Sequence, residues 1–552
     1  MLRIANGTVH DPAQGIDGVV QDLWIKNGRI VPPPADPSSF QGRTLDASGL
    51  VVMPGGIDMH CHIAGPVANA GRLLTPEATR SGAIFRREPG KRSGTVGLVP
   101  TTFATGHLFA RLGYTTAMDA AIPPLHARHA HAELADTPFL DKGFFTLLGN
   151  NHGVLDRIAA GDEAGLDAQV AWALSAAKGY AIKVVNPGDV ENWKQISRKA
   201  LRELDEPVEG FGASPRQIVR ALAGAADRLS LPHPVHLHCN NLGIPGNWET
   251  TLRTMEALEG HRGHFAHIQF HSYAGDKDDP RSFASAAPQL VEYVKNHTNI
   301  TVDVGHVNPG PAIILTADAQ ACDRIRRLTG QRWLSFDVEQ ETSCGVIPIE
   351  YQPQKSLVHA IQWAISLEWY LLMDDPWRIA LTSDHPNGGA FYHYPEIIHL
   401  LMDRNLRAEF LERMPKGVRN RTTLADLDRE YSLSEIGIIT RAAPARILGL
   451  KNKGHLGPGA DADVTLYSPQ ADRAAMFARP RWVLKSGEII AEDGQTRPEV
   501  FGRTFHVEPS FDPGHLPAIR ERFERESSIQ FRNYPVAAES LPHAEPVACR
   551  SS

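Results

Sequence analysis

Residues 55–65 read GGIDMHCHIAG and place two histidines, His60 and His62, one residue apart. The apolar run LVVM at 50–53 precedes them, and glycine follows at position 65. In an extended strand, side chains two residues apart point to the same face. The spacing therefore allows both imidazoles to contact one metal ion, provided that further ligands come from elsewhere in the chain.

The composition is that of an ordinary folded protein. The chain has 552 residues, 42% of them hydrophobic and 22% charged, which predicts a large core and more than one domain. A formal net charge of −7 gives no reason to expect nucleic acid or an anionic membrane as a partner. No stretch approaches the roughly 18 apolar residues of a membrane helix, and the N-terminus lacks the apolar segment of a secretion signal. We expect a cytoplasmic protein.

The five cysteines contain no CxxC pair, which argues against a disulfide scaffold, a metal cluster or a thiolate zinc site. Histidine is frequent instead, with 25 residues. Several of these histidines are grouped at the ends of predicted strands. Any metal site is therefore expected to use nitrogen and oxygen ligands.

The two ends of the chain share one β pattern. LRIANGTVHDP and DLWIKNGRIV alternate apolar and polar residues around Asn-Gly turns, and LGPGADADVTLYSP and PRWVLKSGEIIAEDG repeat this pattern late in the chain. We expect residues 1–52 and 451–500 to form one small β-sandwich domain. Residues 53–450 would form the central domain. Residues 501–552 would be an extension that docks to partners and is partly disordered.

The central region alternates short apolar strands with helical segments. Candidate strands are VVMPG, YTTAMDA, FFTLLGN, YAIKVVNPG, PVHLHCN, HIQFHS, NITVDVGH and RIALTSDHP. AGLDAQVAWALSAAK and SPRQIVRALAGAADRL are candidate helices, the second with Ser214 as its N-cap. This alternation predicts an α/β fold with a parallel sheet, and eight strands fit a TIM (β/α)8 barrel distorted by long loops. Reactive residues of such a barrel lie at the C-terminal ends of its strands.

The predicted strand ends carry four imidazoles, one amine and one carboxylate. These are His60, His62, Lys183, His238, His271 and Asp384. Neutral imidazole and carboxylate suit zinc, whose ligands are nitrogen, oxygen and sulfur donors. The pattern therefore predicts a metal site at the mouth of the barrel.

The order HxH, lysine, histidine, histidine and aspartate, with a β domain from both termini, resembles the amidohydrolase superfamily. NKGHLGPGADADVTLY and AAPARILGL resemble its usual C-terminal part. Longer blocks resemble the formyl-methanofuran hydrolase subunit of the formylmethanofuran dehydrogenases and of the related formyltransferase/hydrolase complex. These blocks are VPTTFATGHLFARLGYTTAMDAAIPPLHARHAHAE, AIKVVNPG, VHLHCNNLGIPGN, HFAHIQFHSYAG and LTSDHPNGG.

The resemblance implies a site with two Zn²⁺ ions. His60, His62 and Asp384 would hold one ion, and His238 and His271 the other. Lys183 would bridge them as N6-carboxylysine, because a protonated lysine cannot bind a cation whereas a carbamate offers two oxygens. The competing Lys178 lies at a predicted helix end, where a cation suits the helix dipole.

The implied reaction is hydrolysis of N-formylmethanofuran, or of a methanofuran analogue, to formate and the free carrier. Asp384 would take the proton of the attacking water and deliver it to the departing amine. The chain would act within a multi-subunit complex of one-carbon metabolism. Any redox centre would lie in other subunits, because this sequence has no iron–sulfur or molybdenum motif.

Three other functions remain open from the sequence. The same site could run in reverse and condense formate with the carrier in a formylmethanofuran dehydrogenase. The chain could be a scaffold subunit that has lost catalysis, which the complete ligand set disfavours. A cyclic amidase of the dihydropyrimidinase type is the weakest alternative, because the longer blocks are specific to the other family.

Two ligand positions have competitors on the same strand face. His236 competes with His238, which fits the superfamily's histidine-plus-amide pattern better. His267 competes with His271, which lies nearer the loop and is preferred for that reason. The side chains of Cys61 and Cys239 are expected to turn away from the metals.

Three further histidines, His126, His129 and His131, follow the second strand. They are expected in a loop or helix as surface or interface residues, with contact to the substrate as the less favoured alternative.

Overall fold

The computed structural model describes residues 1–75, 101–194, 203–338 and 342–550. Val99 and Pro100, which open the first of the family-like blocks, lie outside the described residues.

The strands are numbered in chain order. Strands β1–β5 are Leu2–Asp11, Ile16–Lys26, Arg29–Val31, Arg43–Asp46 and Val51–Pro54. Strands β6–β18 are Gly56–Cys61, Tyr114–Ile122, Asp141–Leu147, Ala181–Val185, Val235–His238, Gly263–Phe265, Tyr273–Asp276, Asp279–Ser285, Ile300–Asp303, Gly310–Thr316, Leu334–Val338, Thr342–Tyr351 and Ile379–Ala380. Strands β19–β24 are Val464–Tyr467, Trp482–Lys485, Glu488–Glu492, Gln495–Thr496, Thr504–His506 and Ala544–Pro546.

The described α-helices, α1–α17, are Gly65–Leu74, Thr102–Arg111, Ala127–Asp136, His152–Ala159, Glu163–Ala177, Asp189–Lys194, Pro215–Arg228, Asn247–Glu256, Ala287–Asn296, Ala319–Thr329, Leu357–Leu372, Tyr394–Met402, Arg404–Glu412, Leu433–Gly437, Ala443–Leu448, Arg473–Ala478 and Leu516–Glu526. The helix α7 begins after the predicted N-cap Ser214, whose side chain forms a reciprocal capping box with Gln217. Among the described residues, no helix is long and apolar enough to cross a membrane.

Eight parallel strands form the predicted barrel. In order around it they are β6, β7, β8, β9, β10, β11, β14 and β18. Cys61 pairs with His385, and the amide of His62 donates to the carbonyl of His385 (2.8 Å), so the last and first strands meet. The barrel thus directs the C-terminal ends of all eight strands towards one mouth.

Both ends of the chain build one further sheet, as predicted. Its order is β22-β21-β20-β19-β5-β1-β2-β3, with β4 paired to β1. Val51–Pro54, expected as the first barrel strand, instead pairs with Val464–Tyr467 in this sheet. That assignment was wrong because a short run without polar residues fits any sheet that is covered on both faces. The first barrel strand is Gly56–Cys61.

The connection between β14 and β18 contains an insertion at the mouth of the barrel. It comprises the antiparallel sheet β15-β17-β16 and the helix α10. The sheet is packed by Ile313, Leu315 and Val346, which are buried against Ala68 of α1. The insertion therefore forms a wall beside the strand ends that carry the predicted site.

The C-terminal extension packs on the barrel up to Arg550. The Trp172 ring of α5 stacks on Phe531 and on Tyr534, with ring centroids 5.3 Å apart in both pairs. β23 pairs with both β8 and β24, and the amide of Arg550 donates to the carbonyl of Ser230 (2.7 Å). These contacts attach the described part of the extension to the barrel.

A buried cluster of charges joins the barrel to the terminal sheet. The carboxylates Asp141, Asp461 and Asp463 are all contacted by Lys453, and Lys485 bonds Asp141 (2.6 Å) and Asp463 (2.9 Å). The donor atoms of the three carboxylates also lie close enough to hold a metal ion. Arg503 also bonds Asp141 and Asp461, so three cations neutralise the three carboxylates and this cluster is an ion-pair network.

Replacing Lys453 by Met should lower the free energy of unfolding by about 3–5 kcal/mol, because three buried carboxylates lose a shared cation. Urea unfolding followed by tryptophan fluorescence measures this change. Lys451→Met is the matched control, since that side chain is exposed in the same loop. Equal stability of the two variants would contradict the assigned role of the cluster.

Candidate metal centre

The barrel brings the predicted residues to one end. His60 is the second-to-last residue of β6, Lys183 is the central residue of β9, and His238 is the last residue of β10. Asp384 follows β18 by four residues. The prediction that these groups converge at the mouth of the barrel agrees with their positions.

His60, His62 and Asp384 form one half of the site. Oδ1 of Asp384 lies 3.0 Å from Nε2 of His60 and 3.1 Å from Nε2 of His62. The side-chain amide of Asn387 donates to the same oxygen (2.9 Å). Asp384 has a φ of 51°, a left-handed conformation that is unfavourable for a residue with a Cβ atom. Such strain is characteristic of functional positions.

The charges in this half perturb one another. Burial alone would lower the pKa of His60, but the facing carboxylates of Asp303 and Asp384 raise it to about 9. Burial alone would raise the pKa of Asp384, but His60 and His267 hold it well below its ordinary value. The buried His60 and Asp384 thus favour opposite charges. A cation bound in this half could take the place of the imidazole proton.

Lys183 lines the same cavity as His60, His238 and Asp384. Its amine is fully buried and has no hydrogen-bond partner among the described residues. Burial lowers the pKa of this amine to about 8, although nearby carboxylates oppose the change. A substantial neutral fraction is therefore available near neutral pH.

His238, His267 and His271 form the other half. One ring nitrogen from each lies within 4.8 Å of the others. His267 also belongs to a second group, with His60 and Asp384, that meets the same distance limit. His267 therefore lies where the two halves meet, and it lines the cavity at their centre.

Unpaired nitrogens in this half fit a metal. Among the described residues, Nε2 of His238, Nδ1 of His267 and both ring nitrogens of His271 are buried without a hydrogen-bond partner. Nε2 of His238 lies 3.7 Å from Asp318, too far for a hydrogen bond. Burial lowers the pKa of all three imidazoles, which leaves them neutral with lone pairs available for a cation.

The expected strand HIQFHS is wrong, and this changes the ranking of His267. The strand ends at Phe265, His267 adopts a φ of 34°, and residues Ile268–His271 form a 3-10 turn. His267 and His271 therefore do not share a strand face. The sequence alone gave no boundary for this short apolar run, and His267 was set aside because His271 is nearer the loop. We include both in the proposed donor set.

The remaining competitors are occupied elsewhere. His236 points deeper into the barrel, where its Nδ1 lies 3.0 Å from Nε2 of His233. Lys178 is paired with Glu508 and caps the helix α5. Cys61 donates to the carbonyl of Met118 (3.4 Å), so its sulfur turns away from the site as expected.

The three histidines after the second strand have different surroundings. His129 is exposed and pairs with Glu133, whereas His131 is buried and its Nε2 bonds the carbonyl of Ala177 (2.9 Å). The expected surface position is therefore wrong for His131. His126 lines a small apolar cleft next to His62.

Above the donors lies a cavity of about 250 Å³. The insertion supplies much of its apolar wall, including Ile314, Leu315, Ile325 and Ile349. Polar atoms are few and come from residues such as Tyr351, Gln362 and Arg324. The cavity suits a largely apolar group whose polar end reaches the donor cluster.

The barrel with its terminal sheet has the fold of the amidohydrolase family. The model of that family matches residues 43–491, which is most of the chain. The chain therefore belongs to the amidohydrolase family, as the sequence motifs predicted.

Two relatives match nearly the whole chain. It is 42% identical to the protein FwdA of Methanocaldococcus jannaschii, over 97% of this chain and 96% of that protein. It is 38% identical to the A component of the formyltransferase/hydrolase complex Fhc of Methylorubrum extorquens, over 100% of both chains. A chain in the crystal structure of that organism's FhcABCD complex with methylofuran superimposes with a TM-score of 0.92. That chain is 37% identical, and the match covers 100% of both.

Replacing His267 by Asn should lower the metal content of the purified protein more than replacing His271 by Asn, because His267 belongs to both donor groups. Metal content per chain, measured by plasma mass spectrometry after dialysis, checks this order. His129→Asn, at an exposed position, is the control and should keep the wild-type content. The reverse order, with His267→Asn fully loaded, would exclude His267 as a ligand.

Proposed function

We propose that this chain is the hydrolase subunit of a formyl-carrier complex. It would cleave the N-formyl group of a methanofuran-type carrier to give formate and the free amine of the carrier. The observation that carries the proposal is the convergence of two donor groups and a partnerless buried lysine, among the described residues, at the base of one apolar cavity.

The donor set supports two metal ions. His60, His62 and Asp384 would hold one, and His238 and His267 with His271 would supply the other. The amine of Lys183 would capture CO₂ and release a proton, giving a carbamate whose two oxygens bridge the halves. A pair of zinc ions here would supply Lewis-acid chemistry, namely acidification of water and polarisation of the formyl carbonyl.

The residues of the chain would handle the proton and the leaving group. Water adds to the formyl carbon, and the C–N bond then breaks to give formate and an amine. Asp384 would take a proton from the water and return it to the departing nitrogen. The bond from Asn387 and the strained backbone fix the direction in which this carboxylate points.

The cavity supports a carrier with an apolar end. Its wall of branched aliphatic side chains would exclude bulk water from the formyl group and would hold an aromatic ring by burial. The Fhc complex of Methylorubrum extorquens binds methylofuran, and the high similarity of this chain to the A component of that complex supports the same class of ligand. By the same similarity, we propose that the chain works with further subunits and that cleavage is its direction.

Replacing Lys183 by Ala should lower the zinc content, because the bridge between the halves is lost. The rate of formate release from formyl-carrier should fall by more than about 100-fold. Added acetate or propionate should restore part of both, since a small carboxylate can occupy the place of the carbamate. Zinc content and formate release are measured on the purified protein with its associated subunits.

Lys178→Ala is the control for this experiment, because that side chain forms a surface ion pair. It should keep both zinc and turnover. Wild-type turnover with two zinc ions in Lys183→Ala would remove this lysine from the site.

Replacing Asp384 by Asn should lower kcat by about 10²–10⁴-fold, the usual contribution of a general acid–base group. The amide keeps the size of the side chain but cannot accept the proton. Formate release under saturating formyl-carrier, with zinc content measured in parallel, separates loss of catalysis from loss of metal. Asp374→Asn, an exposed position, serves as the control. Full activity of Asp384→Asn would overturn the proposed role.

A further inference from the structure

Asp303 lies at the end of β14, a barrel strand that carries none of the proposed ligands. Its carboxylate is fully buried and accepts four hydrogen bonds. Oδ2 accepts from Nδ1 of His60 (2.8 Å) and Nε2 of His264 (3.0 Å). Oδ1 accepts from the amide of His267 (2.9 Å) and the hydroxyl of Thr382 (2.8 Å). One side chain thus ties together the first, sixth and eighth strands of the barrel.

A chain of imidazoles reaches His60 from the opposite side. The carbonyl of Ile447 lies 3.0 Å from Nδ1 of His233, so this nitrogen carries a hydrogen. Nε2 of His233 then accepts from Nδ1 of His236 (3.0 Å). Nε2 of His236 is left with its lone pair, and it lies 3.2 Å from Nδ1 of His60. This assignment of hydrogens holds for neutral rings. Of these three rings, His60 alone has a carboxylate of the described residues within hydrogen-bond distance.

Two acceptors therefore converge on the same nitrogen of His60. Both Oδ2 of Asp303 and Nε2 of His236 require a hydrogen on Nδ1. The lone pair of a neutral His60 is then on Nε2, the nitrogen that lies 3.0 Å from Asp384. An imidazole with its hydrogen on Nδ1 binds a metal through Nε2, and a carboxylate behind it fixes the direction of the ring.

The group formed by His60, His236 and Asp303 also meets the distance limit for a metal site. Its facing atoms are already paired with one another by hydrogen bonds. An ion there would have to break those bonds, whereas the donors above it, such as His238, have nitrogens without a partner among the described residues. The group of His60, His236 and Asp303 therefore holds the metal donors above it in place and does not itself bind an ion.

We propose that Asp303, backed by His236, is a positioning residue that fixes His60 as an Nε2 metal ligand and holds the backbone of His267 at the site. This inference rests on the proposed metal site. It assigns a role to the seventh strand and to the polar groups beneath the donors.

Asp303→Asn is the decisive variant, because no orientation of an amide satisfies the four donors. If the amide nitrogen faces His60, two N–H groups oppose each other, and His60 must change its tautomer. If it faces the amide of His267, the backbone N–H loses its acceptor. We expect the dissociation constant for Zn²⁺ to rise by about 10–100-fold, the usual effect of losing such a supporting carboxylate.

The measurement uses the full-length protein with any copurifying subunits, stripped with a chelator and titrated with Zn²⁺ against a chromophoric competitor. Zinc X-ray absorption at saturating metal counts the imidazole ligands and should give a lower number for Asp303→Asn. Asp141→Asn is the matched control, because Asp141 is equally buried and multiply bonded but lies at the other end of its barrel strand. It should lower stability and leave zinc affinity unchanged.

His236→Leu is the second variant, which keeps Asp303 and removes the other acceptor. It should weaken zinc binding less than Asp303→Asn, and it decides the matter if Asp303→Asn does not fold. Zinc affinity within about twofold of wild type in the folded variants would overturn the inference while leaving the proposed function intact. Wild-type protein that binds no zinc would overturn both.

Discussion

The whole site depends on one constraint, namely that several of its nitrogen atoms are buried without a hydrogen-bond partner among the described residues. Each unpaired buried group costs about 1–3 kcal/mol, and in the described structure Lys183, His238, His267 and His271 bring such atoms together at one mouth. A bound ligand would offset that cost. Cations would do so at the histidines, since they attract the lone pairs of neutral imidazoles. The parallel barrel makes this concentration possible, because all of its strands end at the same rim.

The site has two layers with opposite hydrogen-bond states. Strand alternation places His238 in the upper layer and His236 two residues below it, on the same face of one strand. The upper layer faces the cavity, and its nitrogens have lone pairs without a hydrogen-bond partner among the described residues. In the lower layer, Asp303 bonds His264, and His236 bonds His233 and His60, so these facing atoms are already paired. The rigid layer fixes the directions of the open one, so that the donors are arranged before any ligand arrives.

Much of this organisation could be predicted from the sequence, because period-two and helical patterns report local structure. The alternation of strands and helices and the shared pattern of the two chain ends predicted the barrel and its partner sheet, and the HxH pair pointed to the group of candidate donors at the mouth. Val51–Pro54 was misplaced because four apolar residues carry no information about which sheet they join. His267 was ranked below His271 because strand boundaries are not encoded in so short a run. No sequence pattern indicated the role of Asp303, because the four groups that donate hydrogen bonds to it come from positions up to about 240 residues away in the chain.

The terminal sheet has a consequence for how the chain is made. β5 lies between β1 and β19, and β19 is roughly 400 residues further along the chain. At the usual synthesis rate of about 5–20 residues per second, the outer edge of β5 remains unpaired for about 20–80 s on the ribosome. An open apolar edge is a template for pairing with other chains. The outer edge of β5 is therefore open to such pairing until the last part of the polypeptide emerges.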